Sequence, residues 1–284
     1  MRIAIIGSTG FLGKKFVKIL SENNEIIEIN RNSNNLAYKL NLDNAETFDY
    51  RIFNNIDYVL FLAAISSPDK CFCDYDYCYK TNVIGTKIAI SNILNYKCKV
   101  IFFSSDAVFS GLRNDVATEK TIPCPITAYG EMKLIIENTF ITDENFKIAR
   151  LSYVLAENDK FITYIKNCQK SLSNAEIYHP FYRNVIFVDE VIESVKYLLK
   201  NWMNFTSNIL NVTGNELISR LNIIDIYNSF FSDKVKYAVQ KPDDTYFLAR
   251  PCITEMRSCY MSDILSNYDL SFSEKIKKYI LKGE

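Results

Sequence analysis

Short, unbroken apolar runs alternate with amphipathic stretches through the first half of the chain. Arg2–Ile6, Glu25–Ile29, Asp57–Ala63, Val100–Ser104 and Lys147–Leu151 read as strands. Between them, Phe11–Leu20 repeats apolar residues at helical spacing, and Tyr75–Leu94 and Tyr129–Phe140 read as further helices. Strands that are apolar throughout, rather than alternating, are buried on both faces, and that pattern predicts a parallel sheet clothed by helices. Residues 1–155 are therefore expected to form a doubly wound α/β domain. The second half is less regular. Phe161–Ser171, Glu190–Asn201, Leu221–Phe231 and Ser273–Leu281 read as helices and Ile209–Val212 as a strand. No Gly/Ser/Pro-rich linker separates the halves, so residues 156–284 are expected to form a smaller, interleaved lobe with segments returning to the first domain.

Composition narrows the class without naming it. Hydrophobic residues make up 48% of the 284, enough for a large core, which excludes disordered and collagen-like chains. Thirty-three basic side chains balance 33 acidic ones, so nothing predicts attraction to nucleic acid or to a membrane surface. No apolar run reaches the roughly 18–20 residues of a membrane span. The eight cysteines lack C-x-x-C pairs and zinc-ligand spacing, and they read as reduced thiols of a cytoplasmic protein with no metal site.

Glycine is scarce but unevenly placed. Three of the eight, Gly7, Gly10 and Gly13, fall in Gly7-Ser8-Thr9-Gly10-Phe11-Leu12-Gly13, between the first strand and the first helix. This G-x-x-G-x-x-G turn suits a dinucleotide: glycines give the tight turn and close backbone approach, and the helix N-terminus receives the pyrophosphate. Thr9, Phe11 and Leu12 belong to the same candidate cofactor site. The second strand ends at Asn30-Arg31, where an NAD-selective site usually carries an acidic residue for the ribose 2′-hydroxyl. Asparagine does not repel a 2′-phosphate and Arg31 can pair with one, which favours NADPH with NADH as the alternative; Arg31 as a plain solvated cation is the competing reading.

Tyr129-Gly130-Glu131-Met132-Lys133 puts a tyrosine and a lysine on one helix face. A neighbouring ammonium favours phenolate and makes the phenol a better acid. Ser104-Ser105-Asp106, 24 residues upstream of Tyr129 counted from Ser105, stands where an apolar strand ends, the place where active groups of an open α/β sheet gather.

These motifs together resemble the extended short-chain dehydrogenase/reductases of the NAD-dependent epimerase/dehydratase superfamily, with their Rossmann-type fold, and most of all the dTDP-4-dehydrorhamnose reductase group. The residues carrying the likeness are the glycine turn, Leu62-Ala63-Ala64, Asn82-Val83-x-Gly85-Thr86, Ser104–Phe109, Tyr129–Lys133, Arg150–Val154 and Ala249-Arg250-Pro251. The resemblance implies NADP(H)-dependent reduction of the 4-keto group of a nucleotide-activated deoxysugar. Tyr129 would donate the proton, Lys133 would bind the nicotinamide ribose and lower the tyrosine pKa, and Ser105 would bond the substrate oxygen. It further implies cofactor contacts from Asn41 and Leu42 (where the family has aspartate at the first), from Leu62, Ala63 and Ala64, and from Asn82. Substrate contacts would come from Ser105, Asp106 and Ala107, with Arg183 meeting the diphosphate and Arg250 assisting. A nucleotide-diphosphate sugar is the implied partner, and a homodimer is left open. Within the same fold, 4-epimerisation or dehydration is the alternative reaction, and a non-catalytic nucleotide-binding regulatory subunit is the alternative role.

Overall fold

A computed structural model describes residues 1–111 and 116–279. The chain opens with β1 (Arg2–Ile6), α1 (Phe11–Leu20), β2 (Glu25–Ile29), β3 (Tyr58–Phe61), α2 (Pro68–Cys73) and α3 (Tyr75–Tyr79). After a π-helical turn over Lys80–Gly85 come α4 (Thr86–Asn95), β4 (Lys99–Ser105), α5 (Ala128–Phe140) and β5 (Phe146–Leu151). The second half supplies β6 (Tyr153–Leu155), α6 (Lys160–Ser171), β7 (Ala175–Tyr178), β8 (Tyr182–Phe187), α7 (Val188–Lys200) and β9 (Ile209–Val212). It closes with β10 (Leu217–Ser219), α8 (Arg220–Ser229), β11 (Tyr237–Gln240), β12 (Ile253–Thr254), α9 (Met261–Ile264) and α10 (Phe272–Tyr279). The expected last helix ran to Leu281, and its final two positions lie outside the described residues.

The main sheet has six strands in the order β2-β1-β3-β4-β5-β9, all parallel. Its apolar strands are buried twice over, as the unbroken runs require. Ile3 and Ile5 face a layer built from α1, α7 and α9, while Ala4 and Ile6 face one built from α4 and α5. The second half therefore returns to the first: α7 covers one face through Val191, Ile192, Val195 and Leu198, and β9 extends the edge beside β5. The remaining strands form a four-stranded sheet around β8 and a β7–β11 pair, packed on α6, α8 and α10. No helix among the described residues is long and apolar enough to cross a membrane.

One predicted element is broken. The helix expected over Tyr75–Leu94 arrives as α3, the π turn and α4. Inside the π turn, the Asn82 side chain accepts the Ile65 N–H at 2.8 Å and donates to the Ile65 carbonyl at 3.0 Å. A Cβ on Gly85 would stand 1.8 Å from the Leu42 carbonyl oxygen. The distortion coincides with these two tight contacts, both to distant segments, and π turns are common where a helix must meet such demands.

Candidate active site

Order reverses across the sheet between β1 and β3, and the carboxyl ends of those strands form the crevice where open α/β sheets bind ligands. Gly7 leaves β1 with φ +93°, a left-handed conformation that disfavours any side chain. A Cβ there would lie 2.9 Å from the Ala63 nitrogen, so the two strand ends touch across the crevice. On Gly13 a Cβ would meet the Gly7 carbonyl oxygen at 2.2 Å, and its absence lets α1 seat against the turn. The N-cap of α1 is Gly10, with no side-chain cap and no acidic residue in the first turn. Its first N–H groups and positive dipole end are thus available to an anion.

A cleft of about 950 Å³ runs from this turn to the second-half lobe. Gly7, Thr9, Gly10, Phe11, Leu12 and Gly13 line it, as do Asn30 and Arg31, Asn41 and Leu42, and Leu62, Ala63 and Ala64. Ser105, Asp106, Ala107, Tyr129 and Lys133 join them, with Arg183 and Arg250 on the lobe side. Asn82 does not reach the cleft wall. Its amide is consumed by Ile65, so it acts by holding the loop after β3 in place. In a chain of balanced charge, the lining carries seven basic side chains against three carboxylates. Walls of one sign in a recess focus the field toward anionic ligands.

The catalytic candidates meet because α5 is pressed onto the end of β4. Thr127 caps α5 by accepting the Gly130 N–H at 3.1 Å. A Cβ on Gly130 would stand 2.0 Å from the Ala107 carbonyl oxygen, so glycine sets how closely the helix approaches the turn carrying Ser105. The Ser105 hydroxyl accepts the Ala107 N–H at 3.2 Å and donates to Asp106 at 3.0 Å. Next to it, the buried Ser104 hydroxyl has no hydrogen-bond partner among the described residues.

Lys133 lies one turn below Tyr129, its Nζ 5.8 Å from the phenol ring centroid and donating to the Phe103 carbonyl at 2.7 Å. Burial pulls its pKa down to about 8, against the opposing pull of the Glu137 carboxylate one turn further on. The Tyr129 phenol moves the other way from expectation: burial raises its pKa, and Cys71 and Asp106 push it further up. The Lys133 ammonium is directed at a backbone carbonyl of β4.

Two substrate-side expectations change. Arg183 was expected to offer its fork to a diphosphate. Its Nη1 donates to the Tyr182 carbonyl at 2.6 Å and the Cys252 carbonyl at 3.2 Å, and its Nη2 to the Pro251 carbonyl at 2.5 Å. Its Nε faces Asp106 at 3.6 Å. The buried guanidinium is thus a brace tying β8 to the 251–252 segment and to the turn after β4. Asp106 is correspondingly held by Arg183 and Ser105; burial still raises its pKa, while those two neighbours oppose the rise. Arg250 pairs with Asp69 of α2, donates to the Tyr246 carbonyl at 3.1 Å and lies over the Tyr246 ring. Lining residues not singled out in the sequence include Asp43, Tyr153, Asp159, Phe181, Arg220 and Tyr246. Of these only Tyr153 sat in a recognised segment.

Comparison with known proteins bears on the family and the fold. The RmlD substrate binding domain family matches residues 1–280. D-erythronate dehydrogenase of Haemophilus influenzae is 30% identical over 152 residues, which are 48% of this chain and 48% of that one. The chain thus spans about half the length of that curated relative. A structure described as a hypothetical dTDP-4-dehydrorhamnose reductase from Sulfolobus tokodaii superposes with a TM-score of 0.82 at 24% identity, covering 96% of this chain and 98% of that one. A dTDP-4-dehydrorhamnose reductase from Bacillus anthracis, solved in complex with NADP, gives 0.80 at 19% identity, covering 100% and 99%. At these identities the superpositions establish the Rossmann-like fold.

Proposed function

Since the chain belongs to the RmlD substrate binding domain family, we propose that it is an NADP(H)-dependent reductase of the 4-keto group of a nucleotide-activated deoxysugar. The observation that carries this reading is the single cleft in which Ser105, Tyr129 and Lys133 meet the glycine turn at the carboxyl ends of the strands. The cradle fits a dinucleotide: a side chain on Gly7 or Gly13 would fill it, α1 presents uncapped N–H groups, and the lining is cationic. Gly7, Gly10 and Gly13 would hold the pyrophosphate, Asn30 and Arg31 the adenosine ribose, and Lys133 the nicotinamide ribose. When bound, the reduced dinucleotide supplies the hydride.

The chain's own work is proton delivery and charge stabilisation. The raised pKa of Tyr129 keeps its proton until the substrate oxygen gains negative charge, and only then is transfer downhill. Ser105 now donates to Asp106, so turning to the substrate oxygen exchanges one acceptor for another at little cost. Lys133, charged below about pH 8, adds an ammonium behind the phenol as the oxyanion develops.

The direct test is loss of NADPH absorbance on adding dTDP-, UDP-, GDP- or CDP-linked 4-keto-6-deoxyhexoses; no oxidation with any of the four would end the reductase reading. Arg31→Ala is expected to raise the KM for NADPH about 10-fold or more, the loss of one charge-assisted phosphate contact, and to leave that for NADH within about twofold. Equal losses for both cofactors would remove the 2′-phosphate contact.

A further inference from the structure

Arg220 opens α8 and lines the cleft from the lobe side. Antiparallel pairing of β10 with β8 sets Ile218 opposite Arg183 and Ser219 opposite Tyr182, which brings Arg220 to the Phe181 ring. Its guanidinium carbon is 5.4 Å from the centroids of both Phe161 and Phe181. The Arg183 guanidinium lies 4.3 Å from that same Phe181 ring. Two cations therefore lie against one aromatic ring, and they are treated differently. Arg183 is neutralised by Asp106 and spends its donors on carbonyls, and Arg250 has Asp69 and the Tyr246 carbonyl. Arg220 has no hydrogen bond or ion pair to a described residue, and its Nε is buried without a partner. The neighbouring carboxylate, Asp159, is already engaged by the Tyr153 hydroxyl at 3.0 Å and by the first N–H groups of α6 at 2.7 and 3.3 Å.

A guanidinium left with an unmet buried donor in a recess is costly, and no carboxylate among the described residues forms an ion pair with this one. Two aromatic rings meanwhile hold it in place, which lowers the entropy lost when its fork engages a planar pair of oxygens.

We propose that Arg220, rather than Arg183, is the oxyanion receptor on the substrate side of the cleft, its fork between Phe161 and Phe181 engaging two oxygens of an anionic group of the substrate. The assignment rests on the nucleotide-sugar reading above. Two groups of such a substrate share this chemistry, a phosphate of the nucleotide linkage and a carboxylate on the sugar ring.

Calorimetry of the full chain, saturated with NADP+, distinguishes them using UDP, dTDP and free glucuronate as probes. Arg220→Gln is expected to weaken UDP or dTDP about 10- to 100-fold, the scale of one bidentate charge-assisted contact, with NADP+ affinity unchanged as the sign of an intact fold. Arg220→Lys, which keeps the charge and loses the fork, is expected to fall between. A loss confined to glucuronate would assign the carboxylate as the anion Arg220 binds. If the wild type binds UDP or dTDP and Arg220→Gln binds all three probes as well as it does, the assignment is overturned while the reductase reading stands. If the wild type binds neither nucleotide nor glucuronate, the reductase reading fails and the assignment fails with it.

Discussion

Tyr129→Phe is expected to lower kcat about 10²- to 10⁴-fold, the usual contribution of a positioned general acid, while NADPH affinity stays within about twofold. The phenol's hydroxyl is the only atom removed, and the ring that packs with Met132 and Cys71 remains. The fold and the glycine cradle should therefore be untouched, so cofactor titration separates lost chemistry from lost binding. The pH profile carries the same assignment. Tyr129 keeps its proton through neutral pH because burial raises its pKa, whereas Lys133, pulled down to about 8, loses its charge first on the alkaline side. The charged lysine is the form below that value, so kcat/KM of the wild type should decline as pH rises through about 8. Full activity in Tyr129→Phe would exclude this residue as the donor.

The parts of this protein that could be read from sequence are those whose causes are local. The glycine turn, the unbroken apolar strands and the Tyr129/Lys133 spacing each follow from residues within a few positions of one another, and β1, α1 and β2 appear at the predicted bounds. What could not be read depends on distant partners. Arg183 looked available for phosphate because nothing nearby in sequence reveals the carbonyls of Pro251 and Cys252 or the Asp106 carboxylate. The π turn coincides with an asparagine reaching Ile65 and a glycine pressed on Leu42, contacts to segments distant in the chain. Arg220 gave no signal at all, since Phe161 and Phe181 come to it only through the β8–β10 pairing. The short strands β6, β10 and β12 carry too few residues to show a period.

Arg150→Met is expected to destabilise the protein by about 3–5 kcal/mol, the usual cost of stranding one partner of a buried ion pair. Arg150 and Glu137 are both almost wholly buried, joined by Nε to the two carboxylate oxygens at 3.1 Å and by Nη2 to Oε2 at 2.6 Å. They bind β5 to α5, the helix that carries Tyr129 and Lys133. Removing the arginine leaves the carboxylate desolvated without its hydrogen-bonded partner, and a melting temperature lower by about 6–20 °C should follow at roughly 2–4 °C per kcal/mol. Combining it with Glu137→Leu removes both charges, and stability should return most of the way, because apolar replacement of a buried pair is often neutral or better. Activity should not return with it. The Glu137 carboxylate is the larger of the two influences, with Cys71 the other, that oppose the burial-driven fall in the Lys133 pKa. Without it the ammonium is lost at lower pH, and the alkaline limb of kcat/KM in the double variant should move below about 8. A double variant that recovered both its melting temperature and the wild-type limb would mean the pair only holds β5 to α5. Recovery of the first without the second would show that the same carboxylate fastens the helix and keeps Lys133 charged.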